Sequence, residues 1–241
     1  MKAKLHKAGT RGHTNYGWLD SYHSFSFADY YNPERIHFGA LRILNDDTVA
    51  PGKGFGKHSH DNMEIVSIVL EGELEHKDSM GNELVIREGE VQVTSAGSGI
   101  FHSEYNRSKE SDVKFLQVWI IPNEKNVEPR HDRILVSKIA QEEGIQMIIS
   151  PNSDDQVMWL YQEAWFYIGH LKQETAITYP LKDRKHGVYL FVIEGQVKID
   201  GQVLERRDGY GMWDLEEVIV WAVSDAHILL MEVPMLINED N

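Results

Sequence analysis

The chain has 241 residues, of which 41% are hydrophobic and 26% charged, so it carries enough apolar material for a packed interior and no signature of disorder. It contains no cysteine, which excludes disulfides, thiolate metal sites and cysteine nucleophiles and leaves only nitrogen and oxygen donors for any metal. A formal net charge of −14 opposes direct nucleic-acid binding, which depends on Lys and Arg neutralising phosphate.

No stretch approaches the ~20 apolar residues that span a bilayer, and the N-terminal segment has no apolar core of a secretory signal. The expectation is a cytoplasmic protein without membrane contact. The length allows one large domain or two small ones.

In chain order, an aromatic-rich segment comes first, with Trp18, Tyr22, Phe25, Phe27, Tyr30, Tyr31 and Phe38. Its members can line a cavity for a planar ligand, although core packing explains any one of them at least as well. Gly52-Lys53-Gly54-Phe55-Gly56 follows and reads as a loop that brings backbone close to a barrel mouth. His58 and His60 come next, two apart, so in extended chain both side chains point to one face.

The runs 64–70, 91–93 and 114–121 are rich in β-branched and aromatic residues and read as strands. Glu64, at the start of the first, is either a partner orienting a ligand histidine or an exposed strand residue. Asp78-Ser79-Met80-Gly81-Asn82 supplies the residues of a hairpin turn. His102 and Glu104 repeat the two-residue spacing of His58 and His60. Two such pairs on facing strands of a small barrel converge on three nitrogens and one carboxylate, a donor set for Fe(II), Mn, Ni, Cu or Zn but not for calcium.

The polar segment 123–133, with Pro129, reads as a connector, and 131–143 as a short helix. Beyond it the pattern returns. Val69-Leu70-Glu71-Gly72-Glu73-Leu74-Glu75 is echoed by Val192-Ile193-Glu194-Gly195-Gln196-Val197-Lys198, and Glu88-Gly89 by Asp208-Gly209. Each half closes on an apolar strand ending in proline, at Pro122 and Pro234. Two copies of one barrel is the simplest account. The second copy lacks the ligands: aligning Gly195 on Gly72 puts Leu181 and Asp183 where His58 and His60 stand, and His186 is alone. The remaining histidines, among them His76, His131, His170 and His227, lack paired spacing and read as structural or solvated.

The paired motifs are similar to those of cupins, with three departures. Glu64 to Gly72 is one residue longer than usual, Ser95 stands where proline is common, and His102 lies two residues later than in the germin-type motif. Arg11-Gly12-His13, the run 17–27, Leu44-Asn45-Asp46-Asp47, His58-Ser59-His60, the run 76–81 and the run 95–106 resemble the pirin family, densely from Arg11 to Pro122 and more loosely to Pro234.

That resemblance implies an all-β bicupin, two jelly-roll barrels in tandem, with an N-terminal metal-bearing domain over 1–130 and a metal-free C-terminal domain over 131–241. It implies one divalent metal per chain, Fe(II) before Ni, Cu, Mn, Co or Zn, held by His58, His60, His102 and Glu104. It also implies an oxidoreductase of the quercetin 2,3-dioxygenase kind, acting on a planar flavonol with O2. Glu104, the only acid of the set, is then the candidate catalytic base. The alternative implied by animal relatives is a redox-responsive regulator acting through a protein partner.

Overall fold

The computed structural model describes residues 1–136 and 144–236. Twelve strands precede the second of these segments: β1 Lys2–His6, β2 Gly12–Asn15, β3 Leu19–His23, β4 Leu41–Val49, β5 Gly54–His60, β6 Glu64–Glu71, β7 Glu73–Asp78, β8 Glu83–Arg87, β9 Glu90–Ser95, β10 Ile100–Asn106, β11 Val113–Ile120 and β12 Arg130–Leu135. Ten follow: β13 Gly144–Ser150, β14 Met158–Trp159, β15 Trp165–Leu171, β16 Ala176–Pro180, β17 His186–Glu194, β18 Val197–Ile199, β19 Gln202–Leu204, β20 Gly209–Trp213, β21 Glu217–Ala222 and β22 Ala226–Pro234. The one helical element among the described residues is a 3-10 turn over Ala8–Thr10.

Each half is a two-sheet barrel. In the first, seven strands in the order β12-β9-β6-β11-β4-β3-β2 face four in the order β5-β10-β7-β8; in the second, β1-β20-β17-β22-β15-β13-β14 face β16-β21-β18-β19. The internal repeat is a repeat of conformation as well. Gly72 and Gly195 turn from β6 to β7 and from β17 to β18 at φ 83° and 81°, and a Cβ on either would run into the backbone carbonyl of Asp112 or Asp225. The expected hairpin forms at Asp78–Asn82, and its counterpart in the second barrel turns at Asp200-Gly201.

Strand membership crosses the boundary expected at residue 130. β12 pairs antiparallel with β9 of the first barrel, and β1 pairs with β20 of the second. The segment read as connector and helix is therefore in part a strand: 130–135 extends to cover the otherwise unpaired edge of β9, satisfying backbone groups that a helix there would leave open. The rest of that expected helix, 137–143, lies outside the described residues.

The two seven-stranded sheets pack on each other, because one apolar cluster takes Val66, Leu116, Val118 and Ile120 from the first half and Phe166, Tyr189, Phe191 and Met231 from the second. Phe25 and Phe38, two of the early aromatics, are spent here, with ring centroids 5.4 and 5.6 Å from that of Tyr189. The interior of the second barrel is filled by its own apolar cluster, including Val188, Leu190, Met212, Val220 and Leu230. The first barrel keeps a small apolar cluster, Leu19, Val49, Val69, Leu74, Ile86, Val113 and Phe115, and gives the rest of its interior to polar side chains.

Tyr189 is fully buried where the halves meet and its hydroxyl lies 2.9 Å from His6 Nδ1. Tyr189→Ala is therefore expected to lower stability by about 3–5 kcal/mol, as loss of a large core aromatic does. Chemical denaturation followed by fluorescence checks this, and a loss under about 1 kcal/mol would mean that the halves do not depend on this contact.

Candidate metal centre and its cavity

β5 and β10 run antiparallel in the four-stranded sheet, with His58 opposite His102. The register then slips: Glu104 stands opposite Phe55, so β5 holds one residue more than β10 over this stretch, a bulge at Gly56–Lys57. The bulge is put to use, since the Gly56 carbonyl accepts from His58 Nδ1 at 2.8 Å. A carbonyl can only accept, so the His58 proton is on Nδ1 and the Nε2 lone pair is free. Gly54 explains the glycine-rich run differently from the loop expected there: it opens β5 itself, and a Cβ would strike the Glu104 carbonyl.

His58, His60 and His102 offer ligand nitrogens that lie within 4.8 Å of one another, and His102 and Glu104 do so together with His76. The four expected residues thus occupy one inward face, joined through His102. His58 Nε2 and His102 Nε2 are 3.0 Å apart; two nitrogens bound at ~2.1 Å and at right angles to each other are separated by about that distance. Burial, reinforced by the neighbouring imidazoles, lowers His60 to about 4 and His102 to about 3. Both are neutral near pH 7, the form in which imidazole binds a metal. The donor set and its protonation fit a divalent transition metal.

Glu104 is 2% exposed, and a carboxylate so buried needs donors. They come from the opposite sheet. Gln92 Nε2 donates to Glu104 Oε1 at 2.9 Å, and Gln117 Nε2 to Oε2 at 2.9 Å. Ser67 Oγ, with one proton to give, is 2.9 Å from Gln117 Oε1 and 3.3 Å from Glu104 Oε1. Gln92, Ser67 and Gln117 are directly opposite one another on β9, β6 and β11, and the row continues through Asn45 on β4 to His23 on β3. This polar row, running across a sheet whose other inward positions are mostly apolar, was invisible in sequence because each member is a lone polar residue in its own strand.

A cavity of about 260 Å³ opens beside the cluster. His58, His60 and Glu104 form part of its wall, with Asp47 and Gln117, and Trp18, Phe27, Phe55 and Trp119 supply aromatic faces. Of the seven early aromatics, then, Trp18 and Phe27 reach the cavity. Tyr22 stacks on His13 at 4.3 Å between centroids, and Tyr31 is exposed. Phe55 and Trp119 were not anticipated, although each sits within or beside a motif strand. Larger hollows occur at the rim of the second barrel, 940 Å³, and between the halves, 560 Å³, but neither touches the ligand histidines.

The other expected roles resolve as follows. Glu64 is buried, accepts from Ser95 Oγ at 2.6 Å and from the Tyr161 backbone, and is raised to about 7 by burial; its bonds hold β6 to β9 and to the second half rather than orienting a histidine. His76 is fully buried rather than solvated, on β7 opposite Glu104. His186 gives Nδ1 to the buried Glu232, which also accepts from Tyr179 and two backbone amides.

Asp47 is buried in the cavity wall, hydrogen-bonded to Ser21, and burial, with the charges of Asp46 and Glu104, raises it to about 7. Its folded value lies above the unfolded value, so its stabilising contribution is complete below about pH 4 and is lost as pH rises to about 7. Asp47→Asn cannot ionise. In metal-free protein, wild type should therefore lose about 2–4 kcal/mol relative to this variant between pH 4 and pH 8, at ~1.4 kcal/mol per pKa unit. Parallel unfolding curves at both pH values check this, and a constant difference between the two proteins would refute it.

The pirin family model matches residues 4–120, and the model of the quercetinase C-terminal cupin domain matches residues 147–233. The chain is 41% identical over 231 residues to a quercetin 2,3-dioxygenase of Escherichia coli strain K12, covering 95% of this chain and 98% of that protein. It is 36% identical to a pirin-like protein of Caulobacter vibrioides, covering 92% and 95%. The crystal structure of the bacterial pirin YhhW from Escherichia coli in complex with nickel(II) superposes with a TM-score of 0.93 at 39% identity, covering 98% of this chain and 100% of that one. Similarity of this extent, over both barrels and with the expected ligands on one inward face, places the chain in the pirin family of bicupin proteins.

Proposed function

We propose that His58, His60, His102 and Glu104 hold one divalent metal ion, Fe(II) before Ni, Cu, Mn, Co or Zn, and that the adjoining cavity takes a flavonol whose ring is opened with O2. The observation that carries this reading is the junction of a three-imidazole cluster, with Glu104 grouped beside His102, and an aromatic-walled cavity just below the ~300–1,000 Å³ of ordinary small-molecule sites. The relatives named as quercetin 2,3-dioxygenases support it. When bound, the ion supplies Lewis acidity toward the substrate's enol oxygens and the redox chemistry for O2.

The protein's own groups do the rest. Trp18, Phe27, Phe55 and Trp119 give a planar ring system apolar faces to lie against and exclude water from the histidines. Glu104 has two oxygens and about four acceptor sites, of which Gln92, Gln117 and Ser67 engage up to three. One site remains, enough for a monodentate ligand bond or, where that bond loosens, for the proton of the substrate hydroxyl. The amides of Gln92 and Gln117 keep the carboxylate aimed while that proton arrives.

Two substitutions separate holding the metal from using it. His58→Ala removes one of four ligands and should leave metal content after dialysis far below wild type; equal content by elemental analysis would discard the ligand assignment. Glu104→Gln keeps an oxygen donor but removes the base, so it should retain much of its metal and lose at least about a hundredfold in oxygen uptake with quercetin. Turnover at the wild-type rate per bound metal would remove Glu104 from proton transfer. No oxygen uptake and no spectral loss by metal-loaded wild type would reject the flavonol reading itself.

A further inference from the structure

His102 stands between two neighbours in its sheet. β10 lies between β5 and β7, so His58 flanks His102 on one side and the β7 residues Asp78 and His76 on the other, Asp78 being directly opposite His102. The His76 ring centroid is 5.4 Å from that of His102. Both rings are buried, and His76 Nδ1 and His102 Nδ1 are each without a hydrogen-bond partner. Two orphaned imidazole nitrogens in adjacent buried rings are costly unless something joins them.

Their protonation can be worked out from the other ends of the rings. Asp78 accepts from the backbone amides of Met80 and Asn82 at 2.9 and 3.0 Å, from Asn82 Nδ2 at 2.8 Å and from His76 at 3.2 Å. Its position as acceptor at the centre of these donors makes His76 Nε2 the N–H, which leaves His76 Nδ1 as a bare lone pair. On His102 the requirement is the reverse. With Nε2 given to the metal, the remaining proton of a neutral imidazole must sit on Nδ1 and needs an acceptor. One orphan is thus a donor and the other an acceptor.

We propose that Asp78 and His76 are positioning residues: His76, held by Asp78, accepts a hydrogen bond from His102 Nδ1–H, directly or through one buried water, and so locks His102 with Nε2 presented to the metal. The proposal rests on His102 being a ligand. Outer partners of this kind fix the tautomer and orientation of ligating histidines, and their loss costs ~10–100-fold in metal affinity. The two carboxylates then divide the work: Glu104 acts within the ligand set, and Asp78 acts through a second imidazole from behind it.

The test is nitrogen-15 NMR of histidine-labelled, Zn(II)-loaded protein, joined to Zn(II) affinity by chelator competition. In wild type, His102 should carry a slowly exchanging proton on Nδ1, and His76 should be protonated on Nε2 alone. The opposite His76 tautomer would overturn the proposal without recourse to any variant. His76→Phe keeps an aromatic ring and removes the acceptor; it should lose the slow His102 proton and about 10–100-fold in affinity, whereas His76→Gln, which retains an acceptor, should recover part of both. Unchanged affinity and an unchanged His102 signal in His76→Phe would overturn the proposal.

A second equivalent of Zn(II) would also overturn it, because His76, Asp78 and His131 offer ligand atoms within 4.8 Å of one another and an ion there would consume the His76 lone pair. Failure of the underlying metal reading looks different: His58→Ala would then bind Zn(II) as tightly as wild type.

Discussion

The first barrel is organised around one buried carboxylate. Glu104 points into a β-barrel interior, where an ionised group without partners is too costly to keep, and its hydrogen bonds come from side chains on the opposite sheet. To deliver them, Gln92, Ser67 and Gln117 must stand side by side on three adjacent strands. That condition fixes the register of β9, β6 and β11, since a slip of one residue would turn each polar side chain into the apolar junction of the halves and move buried apolar neighbours such as Val66, Val91 and Leu116 out of it. The same register carries Asn45 and His23 to the cavity.

This arrangement accounts for the asymmetry of the two barrels. They share strand order and the same positive-φ glycine turn at Gly72 and Gly195. The second is filled with aliphatic side chains across its interior, and its most buried acid, Glu232, is saturated by Tyr179, His186 and backbone amides. In the first, aliphatic packing is confined to one end, around Leu74, Ile86 and Phe115, and the space that hydrophobic burial gives up is occupied by the histidines and the polar row. Stability forgone inside the first barrel is offset at the junction of the halves, where the two large sheets bury Phe25, Phe38, Tyr189 and Phe191 between them. β1 and β12 reinforce this association, the first by adding the chain's N-terminal strand to the sheet of the second barrel.

The site itself is layered. Nearest the proposed ion are three imidazoles, of which burial keeps His60 and His102 neutral, and a carboxylate that accepts from two side-chain amides. Behind the imidazoles lie a backbone carbonyl for His58 and the Asp78–His76 couple for His102. In front of them is the aromatic cavity, with Asp47, Asn45 and Gln117 among its polar residues. The β-bulge links the layers, because the residue it adds to β5 both brings the Gly56 carbonyl to His58 and sets Glu104 against Phe55, a cavity residue.

Features that repeat or alternate along the chain were legible in its residues. Spacing of two put His58 with His60 and His102 with Glu104; β-branched runs marked β6, β9 and β11; and the echo of Glu71-Gly72 in Glu194-Gly195 marked the duplicated barrel, because period-two exposure and a left-handed turn leave local traces. Features that depend on strand pairing emerged with the fold. Gln92, Ser67 and Gln117 are separated by up to 50 residues and join only through register, His76 reaches His102 only because β7 flanks β10, and Arg130–Leu135 is a strand only because the β9 edge is there to receive it. The physical reason is common to all three: a hydrogen bond across a barrel or an edge belongs to two segments at once, and neither segment carries a sign of its partner.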